Sequence, residues 1–288
     1  MKRDDKVIFQ RLTKYGTQAN SHDWLKAIAI LLMVVDHTGV YFFPDEYLYR
    51  FVGRFSFPVF FFLIGYTYQG LRSGSPADSD SAWKKYYIQL PASLQKLLVF
   101  FWAFTIKSDL LLCLLLITLA NYALTQEIFP LNILFTVIVC RVVLYLLDKY
   151  HILDNWLIVS WLLLTLLHVP LLFVYEYGSV AILITMVGYL IRHNRRGELK
   201  ALTFIFLSYL SYCASQMIFF PATFNYLATL YTGMAVLFVL LSDYKFQKTY
   251  FFPNITAVNY TVMFISRYSL YVYTAHLLAF KITAKYFI

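Results

Sequence analysis

Residues 22–68 read HDWLKAIAILLMVVDHTGVYFFPDEYLYRFVGRFSFPVFFFLIGYTY, and this stretch decides the fold class. It contains two strongly apolar runs, each close to the roughly 20 residues that a helix needs to cross a bilayer. The same runs hold ionisable side chains, namely Asp23, Lys26, Asp36, His37, Arg50 and Arg54. An ionisable group in hydrocarbon costs about 2.5–3.5 kcal/mol even on insertion scales, so such residues are rare in spans unless they are needed. The stretch therefore predicts a membrane hairpin that contains a functional site.

The composition of the whole chain extends this prediction. Of 288 residues, 60% are hydrophobic, 20% are aromatic and only 14% are charged, whereas a soluble domain has about 25% charged residues. We therefore predict an all-α, polytopic integral membrane helical bundle with the lipid bilayer as its environment. The net charge of +9 comes from basic residues clustered at segment ends. We interpret them as topology signals facing anionic lipid and expect no nucleic-acid partner.

The order of apolar runs predicts the domain organisation. Residues 1–21 form a polar cytoplasmic leader without the apolar core of a cleaved signal peptide, and residues 22–288 form a single transmembrane domain. Residues 86–107 are ambiguous because their uninterrupted apolar run is short. Omitting them gives nine spans and including them gives ten; the positive-inside rule favours nine, with a cytoplasmic N-terminus. The nine predicted spans are residues 24–43, 50–71 with a kink at Pro58, 109–126, 131–148, 155–174, 179–192, 201–220, 224–242 and 260–281.

The first span has a defined geometry for its polar residues. Lys26 and His37 are eleven residues apart, which places them about 20° apart around a helix and about 16 Å apart along its axis. Lys26 then lies near the cytoplasmic end, and His37 lies deep in the bilayer or toward its outer side, with Asp36 beside it in sequence. Histidine is the usual general base near neutral pH. The structural alternative is an interhelical hydrogen bond that only holds helices together.

Two further groups of polar residues are candidates for the same site. Arg50 and Arg54 stand one turn apart, so both guanidinium groups can face one cavity and bind a carboxylate, a phosphate or an oxyanion. Arg50 could instead anchor the helix end at the interface. The last span reads SRYSLYVYTAHLLAFKI at residues 266–282 and places polar residues in apolar sequence, namely Arg267, Tyr268, Tyr271, Tyr273 and His276. We expect His276 to be a partner of the first span, the alternative being a buried histidine bonded to a backbone carbonyl.

Several kinds of chemistry are not indicated. The cysteines Cys113, Cys140 and Cys213 are isolated within apolar runs and have no metal-ligand or disulfide spacing. We find no P-loop, no G-x-S-x-G and no dinucleotide fingerprint, and we predict no metal. His168 stands near a span end and is predicted to be a surface residue.

The first hairpin, with LKAIAILLMVVDHTG followed by LYRFVGRFSFPVFFFLIGY, resembles the TraX family, whose founding member acetylates the pilin of F-type conjugation. Three later stretches resemble the same family: NILFTVIVCRVVLYLLD at residues 132–148, YEYGSVAILITMVGYLIR at 175–192 and YVYTAHLLAF at 271–280. The hairpin is also similar to the acyltransferase-3 branch of transmembrane acyltransferases, in which an aspartate, an arginine and a catalytic histidine open the first span. Asp23, Lys26 and His37 have that spacing, with lysine in place of arginine, and the following G-V-D and S-G-Y segments of that branch are absent.

The resemblance implies a membrane-bound acyltransferase of the bacterial inner membrane that uses cytosolic acetyl-CoA and no metal. The implied acceptor is the N-terminal amine of a pilin subunit. His37 would be the catalytic base, with direct transfer and an acetyl-histidine relay both open. Asp36 or Asp23 would orient the site or balance its charge, and Arg54 and Lys26 would stabilise the oxyanion or bind phosphates. The resemblance also implies residues that bind coenzyme A (Lys26, Lys84, Lys85 and Lys96) or the acceptor (Asp23, Arg50, Tyr268 and His276).

Other functions remain as alternatives. Relatives in the wider superfamily modify sugars, so an O-acetyltransferase acting on an envelope glycan is one of them. A transporter would use the intramembrane ionisable residues as a permeation path, although no inverted repeat is visible. The last alternative is a non-enzymatic assembly factor of a conjugation or secretion apparatus.

Overall fold

Helices dominate the secondary structure of the chain. The computed structural model describes residues 19–68, 108–126, 128–129, 131–150, 156–193, 198–219, 224–247 and 256–287. Within these ranges, a single bridge between Leu131 and Tyr175 is the only β-type pairing. The all-α prediction is confirmed. The helices are α1 Ser21–Phe42, α2 Tyr47–Gly53, α3 Ser56–Tyr66, α4 Ser108–Thr125, α5 Ile133–Lys149, α6 Leu157–Leu166, α7 His168–Leu172, α8 Gly178–Arg192, α9 Leu199–Phe219, α10 Phe224–Ser242, α11 Thr256–Arg267 and α12 Ser269–Phe287.

The predicted count of about nine spans is not confirmed. In the described ranges, three stretches are long and apolar enough to cross a membrane, namely Ser21–Phe42, Tyr47–Tyr66 and Asn225–Ser242. Asp109–Thr125, Leu157–Leu166 and Gly178–Arg192 are apolar but shorter. The ambiguous segment 86–107 lies outside the described residues. The apolar helices indicate a membrane protein.

Two prolines explain where the second and fifth predicted spans are interrupted. A proline has no N–H to donate to the carbonyl four residues earlier, and its ring clashes with that carbonyl. Pro58 affects the carbonyl of Arg54, and the turn between α2 and α3 occurs at Arg54 and Phe55. The kink predicted from Pro58 is therefore confirmed, one turn before the proline. Pro170 has the same relation to Leu166, and α6 gives way to α7 at Leu167.

The last predicted span differs from a single helix over residues 260–281. Helix α11 begins at Thr256 and ends at Arg267, and α12 begins at Ser269 after the turn residue Tyr268. Backbone hydrogen bonds continue across this turn, because Tyr268 N donates to Phe264 O at 2.9 Å and Val272 N donates to Tyr268 O at 2.9 Å. The interruption is therefore local.

The chain divides into two compact units, of which the first comprises Met1–Leu63 and Thr232–Ile288. In this unit α1 packs against α2, α11 and α12. The turn that joins α1 to α2 is closed by Glu46 N donating to Phe43 O at 3.1 Å, with Pro44 in the second turn position that proline favours. A small apolar cluster of Ala19, Ala27, Val262 and Met263 joins α11 to the start of α1.

The second unit, Ile64–Tyr231, is organised around α8. Residues 178–191 are all buried, as expected for a helix that is apolar on every side and enclosed by others. Helices α5, α6, α7 and α9 pack against it. Gly65 permits a close approach to α8, since a Cβ at this position would lie 2.8 Å from the carbonyl carbon of Thr185. Tyr189 OH donates to Asp148 Oδ1 at 2.5 Å and links α8 to α5.

Candidate functional site

The start of α1 is fixed by a reciprocal cap. Asp23 N donates to Asn20 Oδ1 at 3.0 Å, and Asn20 N donates to Asp23 Oδ2 at 3.2 Å, which satisfies two of the N–H groups left over at a helix start. The second carboxylate oxygen of Asp23 accepts from Ser266 Oγ at 2.8 Å. Asp23 is buried, and both of its oxygens have structural partners. Its predicted role in acceptor binding stays a prediction.

Asp36 lies at the centre of a buried charge cluster on α1 and α2. Its Oδ2 is 3.5 Å from Arg50 Nη1, and its Oδ1 is 3.9 Å from Arg54 Nε. The side chains of Asp36 and Arg54 are only 8% and 11% exposed, and that of Arg50 is 21% exposed. The prediction that both arginines face one place is confirmed. They converge on a carboxylate of the same hairpin, which compensates charge that would be costly to bury alone.

Glycines bring α2 close enough to α1 for this cluster to form. A Cβ at Gly53 would lie 2.5 Å from the Cα of Asp36 and 2.7 Å from its N atom. A Cβ at Gly39 would lie 2.6 Å from the Cβ of Tyr49. Real Cβ atoms do not approach backbone this closely. Glycine at both positions therefore sets the spacing between α1, which contains Asp36, and α2, which contains Arg50 and is followed directly by Arg54.

His37 meets the last helix directly. His37 Nδ1 lies 2.8 Å from Nε2 of His276 on α12, within hydrogen-bond distance. Nδ1 of His276 lies 2.9 Å from the carbonyl oxygen of Val272. The predicted contact between the first and last spans is confirmed. The alternative in which His276 bonds to a backbone carbonyl is also correct, because its two ring nitrogens have different partners.

Aromatic rings surround the histidine pair. The centroid of Tyr41 is 6.3 Å from that of His37, and the centroid of Tyr273 is 6.1 Å from His37 and 5.5 Å from His276. Phe280 contacts His276 at 5.6 Å, with its ring nearly perpendicular. Tyr273 is 4% exposed. The pair therefore lies in a largely apolar environment, in which a polar contact is stronger than in water.

The remaining predicted site residues are not among the contacts of the histidine pair described above. Lys26 and His37 share the unbroken helix α1, so the spacing inferred from the sequence holds. Tyr268 lies at the turn before α12, and in the described ranges its ring contacts are with Phe264 and Tyr271. Lys84, Lys85 and Lys96, the predicted coenzyme A ligands, lie outside the described residues.

Two buried residues had no site role in the sequence interpretation, which noted Tyr273 only as one of the polar residues of the last span and placed His168 at the surface. Tyr273 packs on the histidine pair, and its spacing of three residues from His276 was the available signal, since such residues share a helix face. His168 is 7% exposed, so its prediction as a surface residue was wrong. It lies where Pro170 interrupts the helix. Such a break creates a helix end that is buried, and hydropathy alone does not distinguish it from a helix end at the surface.

The cluster has the components of acid–base chemistry. A histidine whose second nitrogen is held by another group is the usual arrangement of a positioned general base. Cations nearby can stabilise negative charge that develops during a reaction. Arg50 and Arg54 lie beside Asp36, the residue before His37 on α1. No cluster of three or more metal-ligating side chains occurs in the part of the chain that is described.

The apolar helices indicate a helical membrane protein, and the cluster around Asp36 gives it a largely buried group of ionisable side chains. The chain belongs to the TraX family: residues 21–283 match the family described as TraX protein, a range that begins with α1 and includes the whole cluster. A similar protein of Rickettsia prowazekii (strain Madrid E), described as uncharacterized, is 23% identical over 265 residues. This alignment covers 91% of the chain and 84% of that protein. No solved structure matches the chain.

Proposed function

We propose that this protein is an integral membrane acetyltransferase that passes the acetyl group of cytosolic acetyl-CoA to an acceptor within or beyond the bacterial inner membrane. The observation that supports this function best is the hydrogen-bonded pair of His37 and His276, in the same unit as the cluster of Asp36, Arg50 and Arg54. Buried ionisable groups in membrane helices are costly. Their concentration around a histidine favours chemistry over a purely structural role.

The proposed reaction is direct transfer. The lone pair of the neutral acceptor amine attacks the thioester carbonyl carbon, and His37 accepts a proton from that nitrogen as the carbon–nitrogen bond forms. The carbon–sulfur bond breaks, and the coenzyme A thiolate takes up the proton that His37 holds. The products are the acetylated amine and free coenzyme A. The positive charge of Arg54 stabilises the oxyanion that forms on the carbonyl, and Asp36 keeps that guanidinium in place.

The donor and acceptor enter from opposite sides in this proposal. The N-terminus is cytoplasmic, so Lys26 lies near the entry side of acetyl-CoA and contributes to binding its phosphates. His37 lies sixteen residues after the first residue of α1, about 24 Å along the axis, and so faces the acceptor side. Membership of the TraX family favours a conjugation-related role and therefore a pilin subunit as the acceptor. The relation to the acyltransferase-3 branch, through Asp23, Lys26 and His37, is part of the proposal.

Purified protein in lipid nanodiscs provides the test. Acetyl-CoA is added with a peptide that has the N-terminus of a processed pilin, with the same peptide blocked at its N-terminal amine, or with an envelope oligosaccharide. Thiol release is then followed over time. We expect release that depends on the free-amine peptide. Release only with the oligosaccharide would identify a glycan O-acetyltransferase, and no consumption of acetyl-CoA with either acceptor would favour an assembly factor or a transporter.

A further inference from the structure

We propose that His276 is a positioning residue that fixes the proton of His37 on Nδ1, so that Nε2 of His37 is the atom that accepts the proton from the acceptor. The inferred catalytic consequence rests on the proposed function. The inferred protonation state rests on geometry alone and can be measured without any enzymatic activity.

The geometry of the pair is that of a hydrogen bond in the plane of both rings. The ring centroids are 5.1 Å apart and the planes differ by 24°. The bonded nitrogens are 2.8 Å apart. The centroid–centroid distance exceeds the nitrogen–nitrogen distance by about twice the distance from an imidazole centroid to its own nitrogen. Both nitrogens must therefore lie close to the line that joins the two centroids. The two rings therefore meet edge to edge, where the lone pair of one nitrogen points at the N–H of the other.

The backbone carbonyl of Val272 determines which nitrogen holds each proton. A carbonyl oxygen can only accept, so the 2.9 Å contact with Nδ1 of His276 requires a proton on that nitrogen. A neutral His276 then has a bare Nε2, which can only accept. The proton in the bond between the histidines therefore belongs to Nδ1 of His37, and a neutral His37 has its lone pair on Nε2.

The hydrogen bond between the two histidines also restricts their combined charge. If both rings were protonated, hydrogens on Nδ1 of His37 and Nε2 of His276 would face each other across 2.8 Å. Such an arrangement is excluded by the contact itself. At most one of the two rings is cationic while the bond is intact, which keeps a neutral imidazole available as a base.

His276 is held in the orientation that this function requires. Val272 lies one turn before it on α12, so the helix itself provides the acceptor for Nδ1. The ring of Phe280 stands against His276 one turn later, nearly perpendicular to it, and the ring of Tyr273 also packs against His276. Rotation of the imidazole would break two hydrogen bonds and these contacts together.

The consequence for the proposed reaction concerns one proton. Nε2 of His37 takes the proton from the acceptor amine as nitrogen bonds to the thioester carbon. The imidazolium that forms is stabilised because its Nδ1–H already donates to His276, and a hydrogen bond from a charged donor is about twice as strong as a neutral one. The same proton then leaves Nε2 for the coenzyme A thiolate. In the wrong tautomer, Nε2 would hold a proton and could not act as a base.

The test uses the full chain with ¹⁵N-labelled histidine in lipid bilayers, with His37→Gln used to assign the His37 signals. We expect the nitrogen shifts of His37 to show a protonated Nδ1 and a bare Nε2, and a scalar coupling between Nδ1 of His37 and Nε2 of His276. In His276→Leu this tautomer preference should be lost. In His276→Gln, whose side-chain oxygen can accept the same hydrogen bond, the protonated Nδ1 should persist.

Acetyl transfer by the same variants gives the second readout. We expect His276→Leu to lower kcat about 10²-fold, a loss in the range for general acid–base catalysis, with the KM for acetyl-CoA little changed. His276→Gln should recover much of the rate, whereas His193→Ala, at an exposed position after α8, should match the wild type. A protonated Nδ1 in a wild type that does not consume acetyl-CoA would support the inferred protonation state and refute the proposed function. A protonated Nδ1 on His37 in His276→Leu, or full activity of that variant, would overturn the inference about His276.

Discussion

Replacing His37 with alanine is expected to lower acetyl transfer by a factor of about 10²–10⁴, the range that a positioned general base contributes. The variant removes the ring that accepts the proton and leaves His276 with its bond to Val272. The loss should fall on kcat, because His37 acts on the reacting amine and contributes little to holding acetyl-CoA. Single-turnover measurements with the purified variant and the pilin peptide give this number directly.

A second histidine variant controls for nonspecific effects of the substitution. His193→Ala removes an imidazole at the end of α8 that is exposed and outside the cluster, so its transfer rate should equal that of the wild type. Both variants should elute as folded protein in size-exclusion chromatography. Full turnover by folded His37→Ala would show that His37 is not the base.

Replacing Asp36 with alanine is expected to destabilise the first unit by about 3–5 kcal/mol, the usual cost of removing one partner from a buried ion pair. Arg50 and Arg54 both lose the carboxylate that they approach at 3.5 and 3.9 Å. The Arg54 side chain is only 11% exposed, so removing the carboxylate leaves positive charge in a poorly solvated position. Thermal denaturation in detergent, followed by the fraction that remains monodisperse, measures this effect.

Two further variants make the electrostatic explanation specific. Asp45→Ala changes an exposed aspartate in the turn after α1 and should alter the stability by less than about 0.5 kcal/mol, as is usual for surface positions. Asp36→Ala combined with Arg54→Leu should recover part of the loss, because the second change removes one of the buried cations. Equal stability of Asp36→Ala and the wild type would mean that the ion pairs do not hold α2 against α1.

Helical periodicity explains why part of the site was predictable. The shared face of Lys26 and His37 and the shared direction of Arg50 and Arg54 follow from 3.6 residues per turn. The kink near Pro58 follows from the missing N–H of proline. Each of these features depends on residues that are close in sequence.

The partners of these residues depend on helix register, which local pattern does not determine. Both arginines approach Asp36 because α1 and α2 are closely spaced, and Gly39 and Gly53 set this spacing. His37 and His276 are 239 positions apart. Two histidines in apolar spans suggested their contact, but not which nitrogens meet. For the same reason Tyr268 was given a site role, whereas Tyr273, on the face of His276, is the tyrosine of the last span that packs on both histidines.

The count of spans illustrates a different limit. Hydropathy predicts one span over residues 155–174, although Pro170 divides this segment into α6 and α7. Average hydrophobicity does not register the loss of one carbonyl's hydrogen bond. His168 was misassigned for the same reason, since it lies buried at this break.

The most direct test of the central claim is the intact mass of the pilin subunit from cells that lack the gene and express either the wild-type chain or His37→Ala. We expect a subunit heavier by one acetyl group with the wild-type chain, with the acetyl group located at the N-terminal amine by fragmentation. We expect an unmodified subunit with His37→Ala at equal membrane expression. An unmodified pilin in the presence of the wild-type chain would contradict pilin acetylation, and an acetylated pilin with His37→Ala would contradict the role given to His37.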